Sequence, residues 1–120
     1  MKTVFKRFTL GSVAVSSTGA ESLINIGCWQ GAIQGVIVVC ASTDFDISIR
    51  NKAGQAANSI YEILSYVASN LRLENSNMRR DFENRDNPQE QRLYVIIKND
   101  DASNATGNVE LELAIEGDFK

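Results

Sequence analysis

The sequence predicts an all-β fold, an antiparallel β-sandwich of jelly-roll type with about eight strands. Three observations lead there. Val109, Leu111, Leu113 and Ile115 alternate with Asn108, Glu110, Glu112 and Glu116, and a side-chain period of two marks a strand with one dry and one wet face. Short apolar segments recur along the chain, separated by Gly, Asn, Asp and Ser turns. Only Asn58–Asn70 carries a helical stripe, and it is rich in β-branched and aromatic residues.

In chain order, Thr3–Leu10 reads as a strand with mixed faces, ended at Gly11. Val13–Ser16 is a short strand closed by Ser17-Thr18-Gly19, and Ser22–Ile26 another, closed by Gly27. Ala32–Cys40 is apolar apart from Gln34 and Gly35, which fits a strand covered on both faces or crossing the middle of the sandwich. Phe45, Ile47 and Ile49 alternate with Asp46, Ser48 and Arg50, a half-buried strand, and Asn51–Asn58 is a loop.

Asn58–Asn70 admits two readings. Ile60, Ile63, Leu64, Val67 and Ala68 form an amphipathic stripe, and Ser59 with Glu62 would make a capping box. Strand neighbours on both sides favour a strand. Arg72–Asn75 and Met78–Phe82 are weaker extended segments, and Asn84–Gln91 is a loop fixed by Pro88. Arg92–Glu116 reads as a β-hairpin around the polar loop Asn99–Gly107.

A chain of 120 residues with 43% hydrophobic and 22% charged residues is expected to form one domain, residues 1–120. The net charge of −3 argues against a nucleic-acid partner. Lys2, Lys6 and Arg7 form a small basic cluster that reads as a solvated strand face. The longest apolar run, Val36–Ala41, is far short of the roughly 20 residues of a membrane helix. The opening MKTVFKRFTLGSVAVSS lacks the continuous apolar stretch of a signal peptide, so neither membrane nor export is expected. Cys28 and Cys40 have no CxxC spacing and are expected as buried thiols, with a disulfide between them as the alternative.

Catalytic chemistry finds little material. The chain has no histidine, the commonest general base. The glycines of GCWQGAIQG lack the lysine and the strand-to-helix context of a phosphate loop. Asp44, Asp46, Asp100 and Asp101 are the candidate calcium ligands, because Ca²⁺ takes oxygen donors from loops. Aspartate is equally common in turns for local reasons. No enzyme activity and no cofactor are expected. Trp29, Tyr61, Tyr66 and Tyr94 offer a stacking platform for sugar, or else fill the core or a subunit contact. Arg79, Arg80, Asp81, Glu83, Arg85 and Asp86 alternate in sign and suit either a solvated loop or bidentate pairs between subunits.

Four stretches, GCWQGAIQGVIVVCASTDFDISIRNKAG, NSIYEIL, FENRDNPQEQRLYVIIKNDD and ATGNVELELAIEG, lie within residues 27–117. In this order the chain resembles small β-sandwich structural proteins of tailed bacteriophages. The resemblance implies a virion component, a capsid decoration or cement protein or a head-fibre or tail part, assembled in the host bacterial cytoplasm. It also implies homo-oligomers, often about a three-fold axis, and contacts with the major capsid or other virion proteins. No catalytic residue carries over. The expected interface residues are Val4, Phe5, Arg7, Trp29, Arg79, Arg80 and Arg85, with Thr3–Leu10 as an inter-subunit arm. The alternatives are a carbohydrate-binding sandwich module, with or without Ca²⁺, and a tail or baseplate component.

Overall fold

The computed structural model describes residues 2–51, 62–68, 71–74, 79–83 and 91–119, with side chains outside 62–68 and 71–74. These residues form strands and connecting loops, with no helix among them. The strands are β1 (Lys2–Leu10), β2 (Ser17–Thr18), β3 (Ser22–Asn25), β4 (Gln30–Val39) and β5 (Phe45–Arg50). They continue with β6 (Glu62–Ala68), β7 (Leu71–Glu74), β8 (Arg80–Glu83), β9 (Arg92–Asn99) and β10 (Val109–Gly117).

Two antiparallel sheets share these strands. One runs β1-β10-β4 and then β7 and β8, which pair successive stretches of β4. The other runs from β2 and β3, which share one side of β9, through β9 and β5 to β6. Each broken pair occupies one strand position, so ten segments fill eight positions. Positions one, eight, three and six form the first sheet, and two, seven, four and five the second. That order is a jelly roll, as the sequence predicts.

The core lies between the sheets. From the first sheet it takes Ile33, Val36, Val38, Val109, Leu111, Leu113 and Ile115. Phe45, Ile47, Ile49, Leu93, Val95 and Ile97 meet them from the second. Burying such a side chain contributes about 1.5–3 kcal/mol, so these alternating faces drive the two sheets together. Gly31 sits where β4 passes β10, and a Cβ there would collide with the Glu116 carbonyl. Only glycine permits that approach.

Several expectations need correction. Arg92–Glu116 is not a hairpin: β9 pairs with β2, β3 and β5, whereas β10 pairs with β1 and β4 in the opposite sheet. Alternation reports which faces are buried, not which strand lies alongside. The loop 100–108 is long enough to cross the ~10 Å between packed sheets. Val13–Ser16 is not a strand either. Its backbone bonds go to loop groups, with Thr106 Nα donating to the Val13 carbonyl at 3.0 Å, and Ser16 takes φ 49°, which ends an extended run. The short ladder falls instead on Ser17–Thr18, opposite Lys98 and Asn99.

The Ala32–Cys40 run is central in its sheet and fully covered on its inner face, while on the outer face Ala32 is buried, Ile37 half-buried and Val39 55% exposed. The run looks uniformly apolar because its outward positions Ile37 and Val39 are apolar as well, and a bulge at Gln34, which β10 skips in passing from Gly35 to Ile33, shifts the side-chain phase before them. Within Asn58–Asn70, Glu62–Ala68 is strand β6, so the helical reading fails there, and the rest lies outside the described residues. The Arg72–Asn75 and Met78–Phe82 segments appear as β7 and β8, shifted by one or two residues, and of loop 84–91 only Gln91 is described.

Candidate functional site

The four aspartates singled out by sequence gather at one end of the sandwich, but they divide into two groups. Asp101 is buried and belongs to a polar clasp. Its carboxylate accepts from Thr43 N at 3.0 Å, Thr43 Oγ1 at 2.9 Å, Ser103 N at 2.8 Å, Asn104 N at 3.0 Å and Asn104 Nδ2 at 3.1 Å. Donors from Thr43, then Ser103, hold its carboxyl far below the usual carboxylate range. These bonds fill its acceptor sites, and their purpose is local.

Asn99 is the centre of the same clasp and is 1% exposed. Its Oδ1 accepts from Ser42 Oγ at 2.7 Å and from Asp101 N at 3.2 Å. Its Nδ2 faces the carbonyls of Asn104 at 2.9 Å, Ala14 at 3.2 Å and Val13 at 3.4 Å. Thr106 Oγ1 accepts from Val13 N at 2.8 Å. One amide therefore ties together the loops following β1, β4 and β9. Sequence reasoning missed it. The available signal was Asp101 with Ser103 and Asn104 two and three residues on, the spacing at which Asp bonds to nearby backbone N–H groups.

Asp46 and Asp100 form the second group, with Asp44 beside them. Asp46 faces Lys98 across the β5–β9 ladder, and Lys98 Nζ lies 3.6 Å from Asp100 Oδ1. Burial, and then the neighbouring Asp100 carboxyl, pushes the Asp46 carboxyl above its ordinary value. Asp44 contributes its backbone, its carbonyl accepting from Asp100 N at 3.0 Å. Among the described residues no three His, Cys, Asp or Glu side chains are grouped to hold a metal ion. With Asp101 fully engaged and Lys98 beside Asp100, this end of the sandwich is a hydrogen-bonded loop junction.

The two thiols are free and lie beyond opposite ends of β4, with the ten-residue strand Gln30–Val39 between them. That is ~30 Å of strand, and a disulfide needs Cα atoms within about 7 Å. The disulfide alternative is therefore excluded. Burial raises the pKa of both Cys28 and Cys40, which keeps them as thiols at neutral pH.

The outer face of the β1-β10-β4 sheet presents cross-strand rungs. Arg7 Nη2 donates to Glu112 Oε2 at 3.0 Å, and Thr9 Oγ1 to Glu110 at 3.0 Å. Thr3 Oγ1 donates to Gln34 Oε1 at 3.2 Å, and Gln34 Nε2 to Glu116 Oε2 at 3.0 Å. Arg79 links Glu116 and Asp81, each at 3.3 Å. Between these polar rungs lies Phe5, 71% exposed, with Ala114 and then Gly35 beside it in register.

Of the expected interface residues, Phe5, Arg7 and Arg79 thus share this face, with Val39 at its end. Val4 points to the other side of β1 and is half-buried, Arg80 is half-buried in β8, and Arg85 lies outside the described residues. Trp29 is 40% exposed in the turn before β4. Tyr94 is buried, Tyr61 lies outside the described residues, and only the backbone of Tyr66 is described, so the four aromatics are not seen as one platform. Among the described residues no helix is long and apolar enough to cross a membrane. The chain matches no family model, no curated protein and no solved structure.

Proposed function

We propose that the chain is a non-enzymatic virion structural protein that decorates or cements a phage capsid through contacts with copies of itself and with capsid protein. One observation carries this reading: large apolar side chains stand outside a scaffold whose loop junction at Asn99, Asp101 and Thr106 is already engaged. Phe5 and Val39 are 71% and 55% exposed on one sheet face, while Asn99, Asp101 and Thr106 are spent on loop bonds. Surface of that kind suits docking to another protein. Raised thiol pKa values and a saturated Asp101 give little for chemistry to use.

The test is binding of the purified protein to phage heads purified without it, followed by co-sedimentation. Saturable binding to heads is expected, and binding to tails alone would shift the role to a tail or baseplate component. Absence from purified virions would refute the reading. Exposed Trp29 favours a second one, a carbohydrate-binding module. Trp29 is the only tryptophan, so sugar-dependent quenching of its fluorescence measures that directly.

A further inference from the structure

We propose that the outer face of β1, β10 and β4 is self-complementary, and that a second copy of the chain docks on it about a two-fold axis parallel to the strands, between β1 and β10. The proposal deepens the homo-oligomeric part of the reading above and rests on it.

The argument lies in the rungs. In register, Thr3 faces Glu116, Phe5 faces Ala114, Arg7 faces Glu112 and Thr9 faces Glu110. The β1 member of each rung is a donor or a bulky ring, and the β10 member is an acceptor or a small residue. A half-turn about an axis along the strands lays β1 of one copy over β10 of the other at the same height. Arg7 then meets the partner's Glu112, and the hydroxyls of Thr3 and Thr9 meet the partner's Glu116 and Glu110. Phe5 stands over the partner's Ala114, where the adjacent Gly35 adds no side chain. An axis across the strands would instead place the acidic ridge Glu110, Glu112 and Glu116 on its own copy, which like-charge repulsion opposes. Charge and shape therefore select the same axis.

The size of the face sets the strength. About this axis the two strands β1 and β10 overlap with the partner's β10 and β1, so nine residues by two strands is ~30 Å by ~10 Å, or ~300 Å² in projection per chain. A standard interface buries about 800 Å² per partner. The dimer is accordingly weak and concentration-dependent, dissociating in roughly the micromolar range or above.

Sedimentation velocity of the isolated protein from about 1 μM to 1 mM tests this. The wild type is expected to pass from monomer to dimer. Phe5→Glu is expected to weaken association at least tenfold, because it places a charge at the centre of the patch. Ala114→Arg fills the opposing socket and should do the same. Phe5 is largely exposed, so Phe5→Glu keeps the fold, which circular dichroism verifies, and it decides the matter even if Ala114→Arg does not fold. A monomer across the range, a trimer, or a dimer indifferent to Phe5→Glu would overturn the proposal. Head binding separates the two readings: a Phe5-dependent dimer that ignores phage heads keeps this proposal and loses the capsid role. A monomer that binds heads through Phe5 does the reverse.

Discussion

Replacing Asn99 with alanine should be the most damaging polar substitution at the loop junction. The side chain is 1% exposed and its two ends serve three loops. Four bonds vanish at short distance: from Ser42 Oγ at 2.7 Å, to the Asn104 carbonyl at 2.9 Å, and from Asp101 N and to the Ala14 carbonyl at 3.2 Å. At about 0.8 kcal/mol each, with a further ~1 kcal/mol for a buried Asp101 N–H facing an emptied site, the loss is about 4 kcal/mol. A domain of 120 residues has a total stability of roughly 6–18 kcal/mol, so this is a large fraction. At ~4 °C per kcal/mol, Tm should fall by ~16 °C. Urea and thermal unfolding followed by circular dichroism measure both quantities. Asn104→Ala is the control, because Asn104 is exposed and gives up only its side-chain bond to Asp101, worth about 0.5 kcal/mol. If Asn99→Ala lowers Tm by less than ~4 °C, or costs no more than Asn104→Ala, the clasp does not hold the loops.

Acid should act through Asp101 and Asp46 with opposite sign. Asp101 has a depressed pKa when folded, so its stabilisation is present above the unfolded value of ~3.9 and is lost as pH falls through the folded one; Asp101→Asn should flatten stability below about pH 4. Asp46 has a raised pKa, so its ionised form costs stability at neutral pH. Asp46→Asn should therefore stabilise at pH 7, with a gain that shrinks as pH falls through the raised pKa, and a stability loss at pH 7 would refute the assignment. Gly31→Ala should push apart the Gly31–Gly117 end of the β4–β10 ladder and lower stability in urea unfolding by about 2–4 kcal/mol, whereas Gly11→Ala, with open space around it, should change stability by no more than about 1 kcal/mol. Mild oxidation should yield no intrachain disulfide between Cys28 and Cys40, and a two-thiol mass loss in a monomer would contradict the separation along β4.

Faces were legible in the sequence where partners were not. The alternation of Val109, Leu111, Leu113 and Ile115 identifies the dry side of β10, and all four are buried without exposure. Nothing in that alternation distinguishes a neighbour in the same sheet from one across the core, which is why a hairpin was expected where a crossing loop stands. In the Ala32–Cys40 run the faces were hidden because Ile37 and Val39 are apolar on the outer side too, and the bulge at Gln34 adds a break in the period. Two-residue β2 left no periodicity to find. At the loop junction, composition marked the aspartates as oxygen donors. The occupation of Asp101 depends on Thr43, 58 residues away, and such a meeting is written in topology, not in spacing. Phe5 was among the residues expected at an interface, but the alternation of β1 did not separate it from Val4, which lies on the inner side of the same strand.

The pairing of β1 with β10 has a consequence for how the molecule comes to be. Lys2 lies opposite Gly117, 115 positions further along the chain. β1 must wait for β10 before its ladder can close, and β4 waits for the same strand on its other side. Loops of that length are costly to close early, and folds dominated by such distant pairings form on a timescale of milliseconds to seconds. During synthesis at about 5–20 residues per second, β1 and β4 emerge seconds before β10 leaves the ribosome. Their apolar edges remain open in that interval. Deleting β10 should leave a chain that cannot assemble its first sheet, and a pulse of protease during translation should find cleavable nascent chain until that strand is released.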